Sequence, residues 1–205
     1  MTIMGADAVT NKILPDKLCG VLTGQHIYLS VKDLGTDFLT IEITLSANGT
    51  QEWEMLITQI EGDATADLAP RGCLQYFKED AATFSSFNWD SGNGMLINDN
   101  QYSICIMDND AYCDVALTAN SMFELTQTSG TCMDKIAFGT NVYCGTTFND
   151  ATNMATCMKP TTFTFTLIPF RAGNFTGAYN IPVFTDGDNT AMAVGFEISY
   201  VLLPC

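Results

Sequence analysis

Apolar and polar residues alternate with a period of two in short runs along this chain, as in HIYLSV at 26–31, FLTIEITL at 38–45 and WEMLITQI at 53–60. Successive side chains of a strand point to opposite faces, so each run offers one face to a core and the other to water. The stretches between them, KDLG at 32–35 and SANGT at 46–50, are turn formers, and Asn48-Gly49 supplies the positive φ angles of a tight hairpin. A small, polar stretch at 62–72, ending in Pro and Gly, has the composition of a linker. Beyond it, strands are expected at 72–77, 84–89, 102–107, 111–119, 122–126, 135–138, 161–169, 181–185 and 195–203. Helical periodicity of useful length is absent, and 64–68 has room for one turn at most. The pattern predicts an all-β protein built as an antiparallel β-sandwich.

With 205 residues, 47% of them hydrophobic, the chain is long enough to bury a core. The 23 acidic residues outweigh the 8 basic ones to give a net charge of −15, a field that repels nucleic acid and anionic membranes. That acidity suits a divalent cation or a cationic partner, and equally suits plain solubility in an extracellular fluid. Eight cysteines, at 19, 73, 105, 113, 132, 144, 157 and 205, lie scattered without the CxxC knuckles of zinc sites. They predict a disulfide framework, hence an oxidising compartment and a secreted protein. Asn48-Gly49-Thr50 and Asn174-Phe175-Thr176 fit that placement as glycosylation acceptors. No segment reaches the roughly eighteen unbroken apolar residues of a membrane span. The N-terminal MTIMGADAVTNK lacks the basic start and apolar run of a signal peptide, so the chain is expected to be a mature or truncated piece of a longer precursor.

A series of landmarks runs from residue 72 onward, opening with GCLQYF at 72–77, followed by FSSFN at 84–88 and NQYSICI at 100–106. Then come CMD at 132–134, YCG at 143–145, VFTD at 183–186, GFEISY at 195–200 and the closing Pro204-Cys205. Their order resembles the CUB domain, in the two-unit arrangement of secreted arthropod proteins. The earlier LCGVLTGQHIYL at 18–29 and WEMLITQI at 53–60 are similar to the second half of a preceding unit. The resemblance thus implies residues 1–61 as the C-terminal half of one CUB-like jelly-roll unit, 62–72 as linker and 73–205 as a complete unit.

It also implies disulfides Cys73–Cys105 and Cys132–Cys144, each constraining the unfolded chain by roughly 3 kcal/mol. Cys113 and Cys205 remain in the same unit at strand positions that could meet, and are expected to pair. Cys19 holds a Cys-Gly position whose family partner would lie upstream; it is free, bonded to a separate fragment, or paired with Cys157. Many CUB domains bind Ca²⁺, and the resemblance places that site at Glu124, Asp134, Asp186 and Asn189. The spacing departs from the family pattern at two points. Asp134 follows Cys132 by two residues where the family has three, and Thr126 stands where the family has its glutamate. Half a sandwich would leave sheet edges without partners, which suits completion by a neighbouring copy through strand complementation and propagation into a filament.

Catalytic signals are missing. His26, the single histidine, has no nucleophile elbow or Cys/His arrangement with it, and alternation turns its side chain away from the face of Ile27. Asp108 and Asp110 lie in a turn expected to be solvated, unsuited to raising a carboxyl pKa. Trp53, Trp89 and Tyr76 are candidates for a glycan-binding surface, and the loops 146–158 and 171–179 for partner contact. The sequence therefore points to an extracellular, non-enzymatic structural or adhesive protein with protein or glycan partners, no nucleic acid and no membrane span. A Ca²⁺-dependent recognition module of a secreted protease or receptor system is the alternative.

Overall fold

The computed structural model describes residues 1–4, 17–29, 39–45, 51–61, 64, 66–108, 111–139, 141–148, 151–152, 178–186 and 193–205. The expected strand 161–169 lies outside the described residues, as do Asn48, Asp110, Cys157, Asn174, Asn189 and most of the loops 146–158 and 171–179.

Two sheets make a β-sandwich. The first runs in the order β10 (Asn141–Tyr143), β9 (Lys135–Phe138), β12 (Ala178–Phe184), β5 (Gln101–Met107), β3 (Gln75–Phe77). Its neighbours are antiparallel except β3 and β5, which are parallel with Gln75 opposite Ile104. The second is antiparallel throughout, in the order β11 (Ala151–Thr152), β6 (Tyr112–Glu124), β13 (Gly195–Pro204), β4 (Ala81–Ser85). Two small ribbons accompany them: β1 (Thr2–Met4) with β2 (Thr40–Glu42), and β7 (Gln127–Thr128) with β8 (Thr131–Cys132).

Alternation carries the core. Tyr102, Ile104 and Ile106 of β5, Ile181 and Val183 of β12, and Phe196, Ile198, Tyr200 and Leu202 of β13 fill the space between the sheets. Burial of side chains this size contributes about 1.5–3 kcal/mol each. Ile3 and Leu18, from the N-terminal part of the chain, belong to the same cluster. On the opposite face of β5, Cys105 packs with Cys73 and Tyr76, and Tyr28, Ala69 and Met107 cover them, so β5 is buried on both faces.

Several expected strands take another form. The runs 111–119 and 122–126 are one strand, β6, because Asn120 ties across the sheet instead of turning the chain: its Nδ2 donates to Glu197 Oε2 (2.7 Å) and its Oδ1 accepts from Ser199 Oγ (2.8 Å). The register shift between Phe196 and Ile198 falls beside this tie. The run 84–89 leaves its sheet after Ser85, at a tight crossing where Asn88 adopts φ 63°. There Asn88 Oδ1 accepts the Val21 N–H at 2.8 Å and Nδ2 donates to the Met95 carbonyl at 2.9 Å. A Cβ on Gly94 would lie 1.7 Å from the Asn88 carbonyl oxygen, so only glycine admits that approach. Residues 52–61 belong to none of the described sheets, and 26–29 run beside β3 without entering its sheet.

Candidate functional site

The three disulfides of the described residues join Cys73 to Cys105, Cys113 to Cys205 and Cys132 to Cys144. Cys19 is exposed and in no disulfide among the described residues.

Asp134 organises one end of the sandwich. It sits in the turn between β8 and β9, only 3% exposed. Its Oδ1 accepts the Asp186 N–H at 2.9 Å and its Oδ2 accepts the Thr126 N–H at 3.1 Å, while its own N–H donates to the Thr126 carbonyl. A buried carboxylate receiving two amides is well compensated without a cation. The structure therefore brings Asp134 to the backbone of Asp186 and of Thr126, the residue at the family's glutamate position. Glu124 ends β6 opposite Gly195, half-buried. Ca²⁺ takes about six to eight oxygens, and among the described residues no group of three acidic, histidine or cysteine side chains is placed to hold a metal.

A second cluster lies at the outer edge of β3. Gln25 to Tyr28 run alongside it, and the Tyr28 N–H donates to the Leu74 carbonyl at 2.7 Å. Gln25 Nε2 donates to Ser85 Oγ at 2.7 Å, and Gln25 Oε1 accepts from the buried Gln75 amide. His26 Nε2 lies 3.1 Å from the carbonyl oxygen and 3.3 Å from the amide nitrogen of Tyr76, so one tautomer donates to the strand and the other accepts from it. The imidazole thereby substitutes for a neighbouring strand. Burial lowers its pKa, against smaller opposing effects of the Tyr76 carbonyl and Glu79. Its ring meets Phe77 and Tyr28 edge-on at 4.8 and 5.8 Å, and Tyr28 meets Tyr76 at 6.0 Å. These rings, with Lys78, Glu79 and Ala82, line a cleft of about 520 Å³. Sequence pattern missed it because its walls come from two distant segments; the adjacent aromatics Tyr76 and Phe77 were its one visible trace.

The glycan candidates do not share a surface: Trp53 is 63% exposed, whereas Trp89 and Tyr76 are 5% and 7% exposed. Trp53 instead stands in the stretch 51–61 with Leu56, 93% exposed, and Ile57, 65% exposed. Asp108 differs from expectation, since its Oδ1 is enclosed with no hydrogen-bond partner among the described residues. The nearby Tyr179 hydroxyl is pushed up to about 12 by burial and by the charges of Asp108 and Asp114.

Residues 70–138 match the family model of the animal CUB domain. This stretch belongs to the CUB family. No curated protein matches the chain. Among solved structures, the full extracellular region of zebrafish Gpr126/Adgrg6 is 14% identical with a TM-score of 0.39, over 65% of this chain and 15% of that one. The CUB2 domain of MASP-1, solved bound to Ca²⁺, is 16% identical with a TM-score of 0.40, over 62% of this chain and 96% of that one. The CUB1-EGF-CUB2 region of human MASP-1/3 is 13% identical with a TM-score of 0.40, over 63% of this chain and 43% of that one. The chain thus spans a small part of the zebrafish region. The CUB match takes in β3 to β9, hence the Cys73–Cys105 disulfide, the edge strand capped by His26, and Asp134.

Proposed function

We propose that the protein is a secreted, extracellular, non-enzymatic binding module of structural or adhesive assemblies, engaging protein or glycan partners, and that segment 51–61 is its contact strand. The observation that carries this reading is the exposure of Trp53, Leu56 and Ile57 in a segment that belongs to none of the described sheets. Water covers such a strand at a cost in exposed apolar area. Addition to the open edge of a partner's sheet removes that cost and satisfies the backbone together. Where the partner is a second copy, the contact is head-to-tail and grows into a filament. Negative-stain microscopy of native material should show linear assemblies, and the double variant Leu56→Lys/Ile57→Glu should leave single particles. Isolated globular particles in the native sample would sink the filament version. On this reading Asn48 and Asn174 carry glycans.

A second reading, a Ca²⁺-dependent recognition module, is favoured by the buried carboxylate of Asp134 beside the Asp186 backbone. It requires that Ca²⁺ raise the melting temperature and that a chelator reverse the rise. Because two amides already hold Asp134, the expected outcome is a melting temperature indifferent to chelator.

A further inference from the structure

We propose that the N-terminal lobe, residues 1–4, 17–29 and 39–42, exchanges between two copies of this chain, each lobe closing the sandwich of the other. The proposal rests on the reading above for the second copy and for segment 51–61 as a contact, and adds what the copies exchange. The lobe is tied to itself: the Leu18 N–H donates to the Met1 carbonyl at 2.9 Å, and β1 pairs with β2, Ile3 opposite Ile41. Its apolar side chains nevertheless belong to the body, since Ile3 and Leu18, 5% and 3% exposed, lie in the core of the sandwich.

The seat of the lobe is the seam between β3 and β4, the edge strands of the two sheets. Phe77 and Phe84 meet across that seam at 5.9 Å, and Gln25 of the lobe bridges it, donating from Nε2 to Ser85 Oγ at 2.7 Å and accepting at Oε1 from the Gln75 amide. Further along, Asn88 Oδ1 accepts the Val21 N–H and His26 engages the Tyr76 backbone. These ties run through side chains, and the seam is imperfect, because the buried Gln75 Oε1 has no hydrogen-bond partner among the described residues. The three disulfides of the described residues all lie within 73–205, and the lobe's Cys19 is in none of them. The body is stapled and the lobe is only seated.

A seat that accepts the lobe in one copy is the same in every copy. Exchange therefore keeps each of these contacts and changes only the path of the chain between lobe and body. That path runs through Trp53, Leu56 and Ile57, exposed by 63%, 93% and 65%. In a reciprocal exchange the two paths cross about the two-fold axis, where the apolar segments of both copies meet and leave water. At up to about 3.3 Å per residue, residues 43–72 are long enough to reach a neighbouring seat. Exchange onward to a third copy, in place of return to the first, extends a chain of copies.

Wild-type protein, half of it labelled with ¹³C and ¹⁵N, can be unfolded in urea without reductant and refolded at about 1 mM in about 0.5 M NaCl, which screens the repulsion between copies. The expected product is a dimer in which the His26 ring of one copy shows isotope-filtered NOEs to the Phe77 ring of the other, because those rings lie 4.8 Å apart in the seat. His26 is the single histidine, so its ring signals are unambiguous. Leu56→Lys/Ile57→Glu, altered only where the paths cross, should lower the dimer share about fivefold or more. A dimer without cross-copy NOEs, no dimer at all, or an equal dimer share in the variant would each overturn the exchange. The first of these would leave association through 51–61 standing, so the two readings fail separately.

Discussion

One imidazole does the work of a strand at the edge of β3. An open edge strand leaves N–H and C=O groups available to any other chain, and natural sheets cover them. Here His26 engages both polar groups of Tyr76 in turn through the same nitrogen. That arrangement makes edge protection depend on pH. Burial lowers the folded-state pKa of His26 below 6.5, while the smaller effects of the Tyr76 carbonyl and Glu79 act the other way. The unfolded chain therefore binds more protons than the folded one across the window between the two pKa values. Stability from this group is complete above about 6.5 and is lost as pH falls through the lower, folded-state value. In His26→Gln, an amide offers a donor and an acceptor without titrating. The wild type should lose more melting temperature than His26→Gln between pH 7.5 and 5; parallel curves for the two proteins would remove His26 as the cause.

At the scale of elements, the strands are held at their ends by covalent ties of very different reach. The Cys113–Cys205 bridge spans 92 residues and fastens the start of β6 to the end of β13, whereas Cys132–Cys144 spans 12. Chain entropy assigns about 4–5 kcal/mol to the long loop and about 3 kcal/mol to the short one. Replacing both Cys113 and Cys205 by alanine should therefore lower unfolding free energy more than replacing Cys132 and Cys144, as read by urea titration. The reverse order would show that native-state packing of β7 and β8 outweighs loop closure. Much of the sandwich was legible because β9 and most of β13 alternate and each buries one apolar set: Ile136 and Ile198 are both 0% exposed. The same alternation misled at 53–60, where pattern marks a strand that has no described partner, since periodicity specifies faces and says nothing of neighbours. It also misled at 84–89, where a left-handed Asn88 and the close approach of Gly94 turn the chain out of the sheet. Asp134 could be picked out by its place after Cys132, but its two amide contacts could not, because they depend on Thr126 and Asp186 converging from separate strands.

For the molecule as a whole, net charge and the exposed apolar segment 51–61 act in opposition. Two copies carrying −15 each repel at low ionic strength, and segment 51–61 adds Glu52, Glu54 and Glu61 with no basic residue to offset them. The attraction available to that segment is the burial of Trp53, Leu56 and Ile57, which salt does not screen. Raising ionic strength from about 0.01 M to 0.5 M shortens the Debye length from roughly 30 Å to below about 8 Å and removes most of the repulsion. Association of like copies through this segment should therefore strengthen with salt. Analytical ultracentrifugation across that range should show the sedimentation coefficient rising for the wild type. Leu56→Lys/Ile57→Glu should remain at the monomer value throughout. A wild-type coefficient that falls with salt would mean that charge, and not the apolar strand, holds the copies together.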